Sequence, residues 1–352
     1  MFDNLLRPHI KKLQAYASAR DEYQGNTGIF LDANENAIGS ATYEAYNRYP
    51  DPQQKLLKQK IATIKKVKPE NIFLGNGSDE AIDLLIRAFC EAQEDAIAIL
   101  PPTYGMYEVS ATINAVKVYQ IPLTQLFQID LEKLKTYFDK VKIIFICSPN
   151  NPTGNTIAEP DILYILEHFE GIVLLDEAYV DFCADKSWLS RLDKYPRLVI
   201  IQTFSKAWGM AALRLGMAFA HTELIAILNK IKSPYNINIL TQNLALEALD
   251  NEAKMQEMVK VTIQQRELLK EKLKEIAYIE DVYPSEANFL LVKMKNPQEV
   301  FAYLLSKKII TRDRSKVAER AIRISIGTET ENIALLQALR DYDNSLHHNK
   351  KV

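Results

Sequence analysis

The sequence has few cysteines, no surplus of one charge and no long apolar run, and each shortage excludes a class of protein. Its three cysteines, Cys90, Cys147 and Cys183, are an odd number without close spacing, which fits neither a disulfide framework nor a zinc site. The 43 basic and 45 acidic side chains give a net charge of −2, so nothing favours binding to nucleic acid. The longest apolar runs, such as residues 141–147, are too short to span a bilayer.

These shortages favour a cytoplasmic protein with a small-molecule ligand. No apolar segment follows the first charged residues, so we expect no signal peptide. The 352 residues are 47% hydrophobic, which suffices for a large core and suggests about two domains. No fixed-period repeat or low-complexity segment is present, so a repeat array is not expected. We predict no nucleic acid or membrane partner and no metal site.

Short runs that are apolar throughout alternate with amphipathic stretches in the central part of the chain. The predicted strands are residues 71–74, 96–100, 115–120, 141–147, 171–176, 198–203 and 215–220. Helices are predicted over residues 79–89, 130–139 and 159–169. Strands without polar alternation are typical of a parallel sheet that is covered on both faces. We therefore predict an α/β large domain over residues 49–235, with a mostly parallel seven-stranded sheet between helices.

The pattern changes after this large domain. The predicted helices are residues 241–250, 251–276, 298–307 and 331–343, and the predicted short strands are residues 280–283, 288–293, 309–312 and 322–326. Strands and helices mixed in this way indicate a smaller α+β domain over residues 236–352. Residues 1–48 show little regular pattern, and we expect them to pack with the small domain.

Polar side chains follow three successive predicted strands at the points where the strands end. The first strand leads into SPNNPTG (148–154), the second into DEAY (176–179) and the third into TFSK (203–206). Ligands of open α/β sheets bind at the carboxyl ends of the strands. Three such ends together therefore predict one site, whereas a single polar strand end would indicate little.

Lys206 and Asp176 are the candidate catalytic residues of this site. Lys206 follows a buried run, where partial desolvation would lower its pKa and favour imine formation; an exposed surface lysine is the alternative. Asp176 could keep a pyridinium nitrogen protonated, or could merely cap the segment that follows it. Tyr179 and Asn151 could each donate a hydrogen bond to a phenolate oxygen on the same ring.

A phosphate site is predicted where GNGSDEAI (75–82) opens a helix after a strand. Backbone N–H groups and the helix dipole favour an anion there, although Asp79 could equally be a plain cap. The segment matches neither the Walker pattern nor a complete GxGxxG motif, so ATP and NAD have little support. Ser205 and Arg214 could contact the same phosphate. Tyr104 could stack on an aromatic cofactor or belong to the core.

The motifs SPNNPTG, DEAY and TFSKAWGMAALRLG resemble the aminotransferases of fold type I that depend on pyridoxal 5′-phosphate (PLP), the aspartate aminotransferase superfamily. The resemblance covers nearly the whole chain. It implies that Lys206 holds PLP as a Schiff base and that Asp176 contacts the pyridinium nitrogen. The other cofactor contacts that it implies are Ser78, Asp79, Tyr104, Asn151, Tyr179, Ser205 and Arg214.

Further motifs resemble the histidinol-phosphate aminotransferases within that superfamily. They are RPHIKKL near the start, LDANENAIG (31–39), RYPDPQ (48–53) and AIRISIGT (321–328). The sequence departs from the family pattern at Ala37 and Ala212, where proline and glycine are usual. The resemblance implies the interconversion of L-histidinol phosphate and 2-oxoglutarate with imidazole-acetol phosphate and L-glutamate, in histidine biosynthesis.

The same resemblance implies substrate contacts and a homodimer. Arg323 matches the arginine that binds the substrate anion, and Arg312 looks like its companion; a surface ion pair is the alternative for each. Tyr16 could close over the substrate phosphate, and Asn36 could lie nearby. Tyr49 is implied to cross the dimer interface and reach the cofactor phosphate of the partner subunit.

Three other functions stay open from the sequence. A threonine-phosphate decarboxylase and an aromatic amino acid aminotransferase would share the fold and the cofactor. A PLP-binding regulatory protein is less expected, because such proteins usually carry an additional helix-turn-helix domain. In this chain the fold motifs begin within the first fifty residues.

Overall fold

The structure is a computed structural model that describes residues 2–16 and 28–348, and it contains a large and a small sheet. The strands of the large sheet are β1 (Ile72–Asn76), β2 (Ala96–Ile99), β3 (Lys117–Gln120), β4 (Ile143–Cys147), β5 (Ile172–Asp176), β6 (Leu198–Thr203) and β7 (Leu215–Phe219). Their spatial order is β1-β7-β6-β5-β4-β2-β3. Strand β7 pairs antiparallel with β1 and β6, and the other pairs are parallel. The predicted mostly parallel seven-stranded sheet is confirmed.

Helices cover both faces of this sheet, which explains why its strands are mostly apolar and buried, apart from the partly exposed edge strand β3. The helices that follow the chain through this part are α2 (Lys55–Lys65), α3 (Ser78–Phe89), α4 (Met106–Ile113), α5 (Leu131–Lys135), α6 (Glu159–His168), α7 (Thr222–Ile231) and α8 (Ile239–Asp250). Successive side chains of a strand point to opposite faces. Accordingly Ile144 and Leu175 belong to one buried cluster, whereas Phe145 and Leu174 belong to a second one.

The small sheet is antiparallel and has its own core. Its strands are β8 (Ile279–Val282), β9 (Phe289–Met294), β10 (Arg312–Asp313) and β11 (Ala321–Ser325), in the order β10-β11-β9-β8. The helices of this part are α9 (Glu252–Lys274), α10 (Pro297–Ser306) and α11 (Glu329–His348). Leu273, Val292, Ile322 and Leu339 fill the space between them. The smaller α+β layer that the sequence predicted is present.

Several predicted boundaries differ from the structure. The helix that was predicted over residues 130–139 ends at Lys135. The Thr136 hydroxyl that follows donates a hydrogen bond to the Lys133 carbonyl at 2.8 Å. The strand that was expected over residues 309–312 is shorter and begins later, because only Arg312 and Asp313 pair with β11. Helices α2, α4, α7 and the short α1 (Pro8–Lys12) were not predicted.

The first residues of the chain contact the large domain and not the small one. Phe2 is buried and packs edge-on against Phe89, with ring centroids 6.2 Å apart. Arg7 donates to both carboxylate oxygens of Glu91, at 3.2 and 2.8 Å. The expected packing of residues 1–48 on the small domain is therefore wrong for residues 2–12, because Phe2 fills the core beside α3. The boundary after residue 235 stays a prediction. Helix α8, which follows that boundary, contacts α2 of the large domain.

Candidate active site

A cavity of about 460 Å³ opens at the carboxyl ends of β4, β5 and β6. The residues around it are Gly77, Ser78, Asp79, Tyr104, Cys147, Asn151, Asp176, Ala178, Tyr179, Thr203, Ser205, Lys206, Arg214, Arg312, Arg314 and Arg323. Every predicted cofactor residue except Tyr49 lies here, together with both predicted substrate arginines. Residues that are far apart in the sequence thus meet at the edge where the strands end, as parallel topology requires.

Lys206 lies in the loop between β6 and β7, and its side chain is accessible from the cavity. Its Nζ is 5.5 Å from the centroid of the Tyr179 ring. Surrounding protein atoms lower the pKa of Lys206 by desolvation, and the charge of Arg323 lowers it further, although Asp176 opposes both. A lowered pKa enlarges the fraction of neutral amine, which is the nucleophilic form.

Asp176 is the last residue of β5, and its carboxylate is held by two hydrogen bonds. Tyr107 Oη donates to Oδ2 at 2.6 Å, and the Ala178 backbone N–H donates to Oδ1 at 3.0 Å. Burial raises the pKa of Asp176 to about 6, and the two hydrogen bonds oppose this rise. The group is therefore mostly a carboxylate at neutral pH, in a place where a positive partner is strongly favoured.

Asn151 and Tyr179 present donors to the cavity. Arg323 Nη1 donates to Asn151 Oδ1 at 2.6 Å, which orients the amide and leaves its Nδ2 as the remaining donor. Tyr179 is almost fully buried, and its ring packs edge-on against Phe289, with ring centroids 5.1 Å apart. Burial raises the pKa of Tyr179, so its phenol stays protonated and can donate.

The turn between β1 and α3 forms a cradle against the start of β7. The Gly77 N–H donates to the Arg214 carbonyl at 2.6 Å, and Gly77 has a φ of 72°, which favours glycine. A Cβ on Gly216 would lie 2.1 Å from the Ser78 nitrogen, so no side chain fits there. Gly77, Ser78 and Asp79, at the start of α3, line the cavity, and a helix N-terminus favours an anion.

Side chains around this cradle are linked by polar contacts. Arg214 Nη1 donates to Ser205 Oγ at 3.4 Å, and its Nη2 is 3.6 Å from Asp79 Oδ2. Tyr104 Oη donates to Asp79 Oδ1 at 3.1 Å. The arginine, the hydroxyl and the helix N-terminus together can hold a phosphate group.

The small sheet contributes three arginines to the same cavity. Arg312 of β10 pairs with Arg323 of β11, and Arg314 follows directly after β10. The Nε atoms of Arg314 and Arg323 are buried and have no hydrogen-bond partner within residues 2–16 and 28–348. Three cationic side chains at one end of a cavity are suited to an anionic substrate group.

Three predicted site residues lie away from this cavity. Tyr49 stacks on Tyr235 with ring centroids 4.4 Å apart, in a separate groove. Asn36 Oδ1 accepts a hydrogen bond from the Ile38 N–H at 3.0 Å, and Tyr16 is 72% exposed. The roles of Tyr49, Asn36 and Tyr16 stay predictions.

Among the residues that sequence reasoning did not assign to this site, Tyr107 and Arg314 bear most on its chemistry. Tyr107 lies three residues after Tyr104 in PPTYGMY, but an inward-facing tyrosine on an unpredicted helix gives no separate signal. Arg314 belongs to the charged stretch TRDRSK, which is typical of a solvated surface. Its proximity to β11 follows from the β10–β11 pairing, which the sequence pattern did not resolve at this position.

No second chemical centre is formed by the cysteines or the acidic residues that the structure describes. The three thiols are free, and burial raises the pKa of Cys90 to about 12, so that this thiol is not activated. Across the described ranges, no group of three histidine, cysteine or acidic side chains could hold a metal ion. Within the same ranges, no helix has the length and apolar character needed to cross a bilayer.

Comparison with known proteins places the chain in a family. The model of the family described as aminotransferase class I and II matches residues 21–339. A histidinol-phosphate aminotransferase from Cytophaga hutchinsonii is 54% identical over 346 residues, which are 97% of this chain and 99% of that protein. The chain therefore belongs to the class I and II aminotransferases and, within them, to the group of the histidinol-phosphate aminotransferases.

Solved structures share the fold. The crystal structure of the histidinol-phosphate aminotransferase from Clostridium acetobutylicum superposes with a TM-score of 0.79 at 27% identity, covering 85% of this chain and 92% of that one. That from Sinorhizobium meliloti, in complex with pyridoxal 5′-phosphate, gives a TM-score of 0.78 at 22% identity, covering 89% and 90%. At 22% identity the second likeness concerns the fold alone.

Proposed function

We propose that this aminotransferase uses PLP to move an amino group between L-histidinol phosphate and 2-oxoglutarate, as a step of histidine biosynthesis. The observation that carries the proposal is one cavity that joins Lys206 and Asp176 to three arginines of the small sheet. A lysine beside a buried carboxylate suits the cofactor, and the arginines suit an anionic substrate. A cytoplasmic location stays a prediction.

The residues present fit PLP. The cradle at Gly77 and Gly216 excludes side chains and offers backbone N–H groups to a phosphate, which Ser205 and Arg214 adjoin. The buried Asp176 carboxylate suits a protonated ring nitrogen, because a buried anion gains from a cationic partner. When bound, PLP supplies an aldehyde that condenses with amines and a ring that withdraws electrons from the carbon bearing the amino group.

The residues of this chain then have separable tasks. Lys206 holds the cofactor through its Nζ and afterwards moves protons at the substrate carbon, for which a lowered pKa is needed. Asp176 holds a proton at the ring nitrogen, oriented by Tyr107 and the Ala178 N–H. Asn151 and Tyr179 orient the ring by donating to its oxygen.

The substrate proposal depends on the arginines. Glutamate presents two carboxylates to the pocket, one on Cα and one on its side chain, whereas histidinol phosphate has no carboxylate and presents a phosphate ester. A guanidinium can bind either group through two parallel hydrogen bonds. We assign the substrate anion to Arg323, which Asn151 holds in place at 2.6 Å, and to Arg312, its neighbour across the β10–β11 pair.

The experiment is a donor and acceptor screen on the purified protein loaded with PLP. Histidinol phosphate, histidinol, phenylalanine and threonine O-phosphate are compared by kcat/KM, with formation of glutamate from 2-oxoglutarate and release of CO₂ as separate readouts. We expect histidinol phosphate to be the best donor. A clear preference for phenylalanine, or CO₂ release from threonine O-phosphate, would contradict the proposal and support the corresponding alternative.

We also propose a homodimer in which Tyr49 reaches the cofactor phosphate of the partner subunit. Tyr49 does not line the cavity of its own chain and is 51% exposed. The segment that precedes it exposes large apolar side chains, among them Leu31 at 85% and Ile38 at 99%. Large apolar side chains exposed in one segment are typical of an interface.

A mixing experiment tests this assembly. Lys206→Ala and Tyr49→Phe damage different parts of a shared site, so hybrid dimers would contain one undamaged site. We expect mixtures of the two variants, after subunit exchange, to exceed the summed activities of the separate variants. A fully active monomer in sedimentation at the assay concentration would rule the assembly out.

A further inference from the structure

The cavity has a surplus of positively charged side chains over negatively charged ones. It is lined by five basic side chains, Lys206, Arg214, Arg312, Arg314 and Arg323, against the acidic Asp79 and Asp176. Arg214 lies near Asp79, and the charge of Asp176 acts on Lys206. The three guanidiniums of the small sheet stay without a carboxylate partner within the part of the chain that the structure describes.

Arg314 is the member of this group that the proposed function does not yet use. Its neighbour Asp313 forms no ion pair with it in the described residues; Asp313 Oδ1 accepts hydrogen bonds from Ser315, the backbone one at 2.8 Å. Arg314 Nε is buried without a partner in the described residues, and the side chain lines the cavity. Desolvation lowers the pKa of Arg314, the charges of Arg323 and Arg312 lower it further, and Tyr179 and Asp313 oppose this change. An anion that joined this cluster would offset the repulsion between its charges.

We infer that Arg314 is a specificity residue that contacts the substrate phosphate and makes the enzyme prefer a phosphate ester over a carboxylate. The inference rests on the proposed function. A phosphate monoester carries about 1.5 to 2 negative charges at pH 7 and three acceptor oxygens, against one charge and two oxygens for a carboxylate. Glutamate carries its two charges on two separate carboxylates, whereas the phosphate ester concentrates its charge and three oxygens in one group, which a third neighbouring guanidinium can contact.

The test compares Arg314→Gln and Arg314→Lys with wild type. We expect Arg314→Gln to lower kcat/KM for histidinol phosphate by roughly 10- to 100-fold, the usual effect of losing a hydrogen bond between charged groups. Turnover of glutamate and of unphosphorylated histidinol should change less than about threefold. Arg314→Lys should restore part of the loss, because it keeps the charge but not the planar donor pair.

The matched control is Arg320→Gln, which removes the same charge from the small sheet outside the cavity. Arg320 is ion-paired with Glu280 at 2.9 Å, and we expect this variant to keep the wild-type ratio of the two donors. Thermal melting of all variants establishes that they fold. An Arg314→Gln protein that melts normally but keeps the wild-type ratio, or that loses all donors equally, overturns the inference.

A second readout separates this inference from the proposed function. Inorganic phosphate should inhibit glutamate turnover competitively, and its inhibition constant should rise by at least about tenfold in Arg314→Gln. If wild type fails to use histidinol phosphate, the proposed function is wrong, while phosphate inhibition still decides whether Arg314 binds a phosphate. An unchanged inhibition constant overturns the inference in that case also.

Discussion

Tyr107 Oη lies 2.6 Å from Asp176 Oδ2 and donates a hydrogen bond to it. The tyrosine is fully buried, with its ring stacked on Phe145 at 4.9 Å, so its hydroxyl has little freedom to move. Helix α4 thereby holds the carboxylate at the end of β5 in a fixed orientation. Because this bond also lowers the pKa of Asp176, Tyr107 is a positioning residue that keeps the group ionised.

Replacing Tyr107 with phenylalanine should therefore affect both ionisation and rate. Without its donor, Asp176 Oδ2 is a buried unsatisfied oxygen, and the pKa of Asp176 should rise further above 6. We expect the acidic limb of the kcat/KM profile to move to higher pH and kcat/KM at pH 7 to fall about tenfold. Tyr278→Phe is the control: this tyrosine also donates within the core, to the Leu339 carbonyl at 3.1 Å. A shifted profile in both variants would mean that the effect is general destabilisation.

Lys206→Ala should abolish covalent retention of the cofactor while the chain still folds. Borohydride reduction of wild type loaded with PLP should fix the cofactor to the peptide that contains Lys206, which mass spectrometry detects directly. Lys206→Ala should gain no such mass, whereas Lys135→Ala, whose lysine belongs to an ion pair with Glu132, should gain it normally. Labelling of a different lysine, or near-normal amino transfer by Lys206→Ala, would contradict the assignment.

Gly216→Ala should weaken binding of the cofactor phosphate. The added Cβ would lie 2.1 Å from the Ser78 nitrogen, so the turn at the start of α3 must move away from β7. We expect the Kd for PLP, from titration of the apoprotein, to rise at least about tenfold, as when a group that orders an anion site is displaced. Gly105→Ala is a suitable control, because nothing lies within 4 Å of its Cβ position. Equal affinity of wild type and Gly216→Ala would refute the cradle.

Glu177→Gln should change how stability depends on pH. Glu177 is buried and accepts hydrogen bonds from Gln202 Nε2 and Ser187 Oγ, each at 2.8 Å, and burial raises its pKa to about 7. Since this pKa exceeds the unfolded value of about 4.3, its contribution to stability is complete at low pH and is lost as the pH rises through 7. A glutamine does not titrate and avoids this loss, on the order of 1–3 kcal/mol.

Melting of the apoprotein at pH 5 and pH 8 checks this expectation. Glu177→Gln should melt higher, relative to wild type, at pH 8 than at pH 5. Gln202 can turn its amide to accept from the introduced glutamine, because its Oε1 is buried and unpartnered in the described structure. Glu170→Gln, at an exposed position, is the control for the loss of one carboxylate. An identical pH dependence of wild type and Glu177→Gln would mean that Glu177 is not protonated in the native protein.

The sequence was most informative where burial is uniform and least informative where contacts are distant. Strands such as β5 and β6 were predictable because apolar residues fill both faces, and the polar residues at their ends marked the cavity. Helix α4 was not predictable in this way, because its β-branched residues Val109, Thr112 and Ile113 have low helix propensity. The hydrogen bond between Tyr107 and Asp176 joins residues 69 positions apart, and no local pattern encodes it.

The arginines illustrate the same limit. Arg323 could be selected from a motif. The role of Arg314 depends instead on the β10–β11 pairing and on the hydrogen bond that Ser315 donates to Asp313. Tyr49 presents the opposite case, because its proposed partner lies in another subunit. Residues whose task depends on a second chain leave no trace in the contacts of one chain.

The placement of β7 has a consequence for the order in which the protein can be completed during synthesis. Strand β1 pairs with β7 and with no other strand of the large sheet, although it emerges from the ribosome first. It must therefore wait, unpaired, until the chain has been made to Phe219. Closing so long a loop is slow, and an unpaired apolar strand is open to wrong partners meanwhile. Ribosome-bound chains that stop short of β7 should thus lack the anion cradle, and capture of PLP would mark the moment at which the first strand joins the sheet.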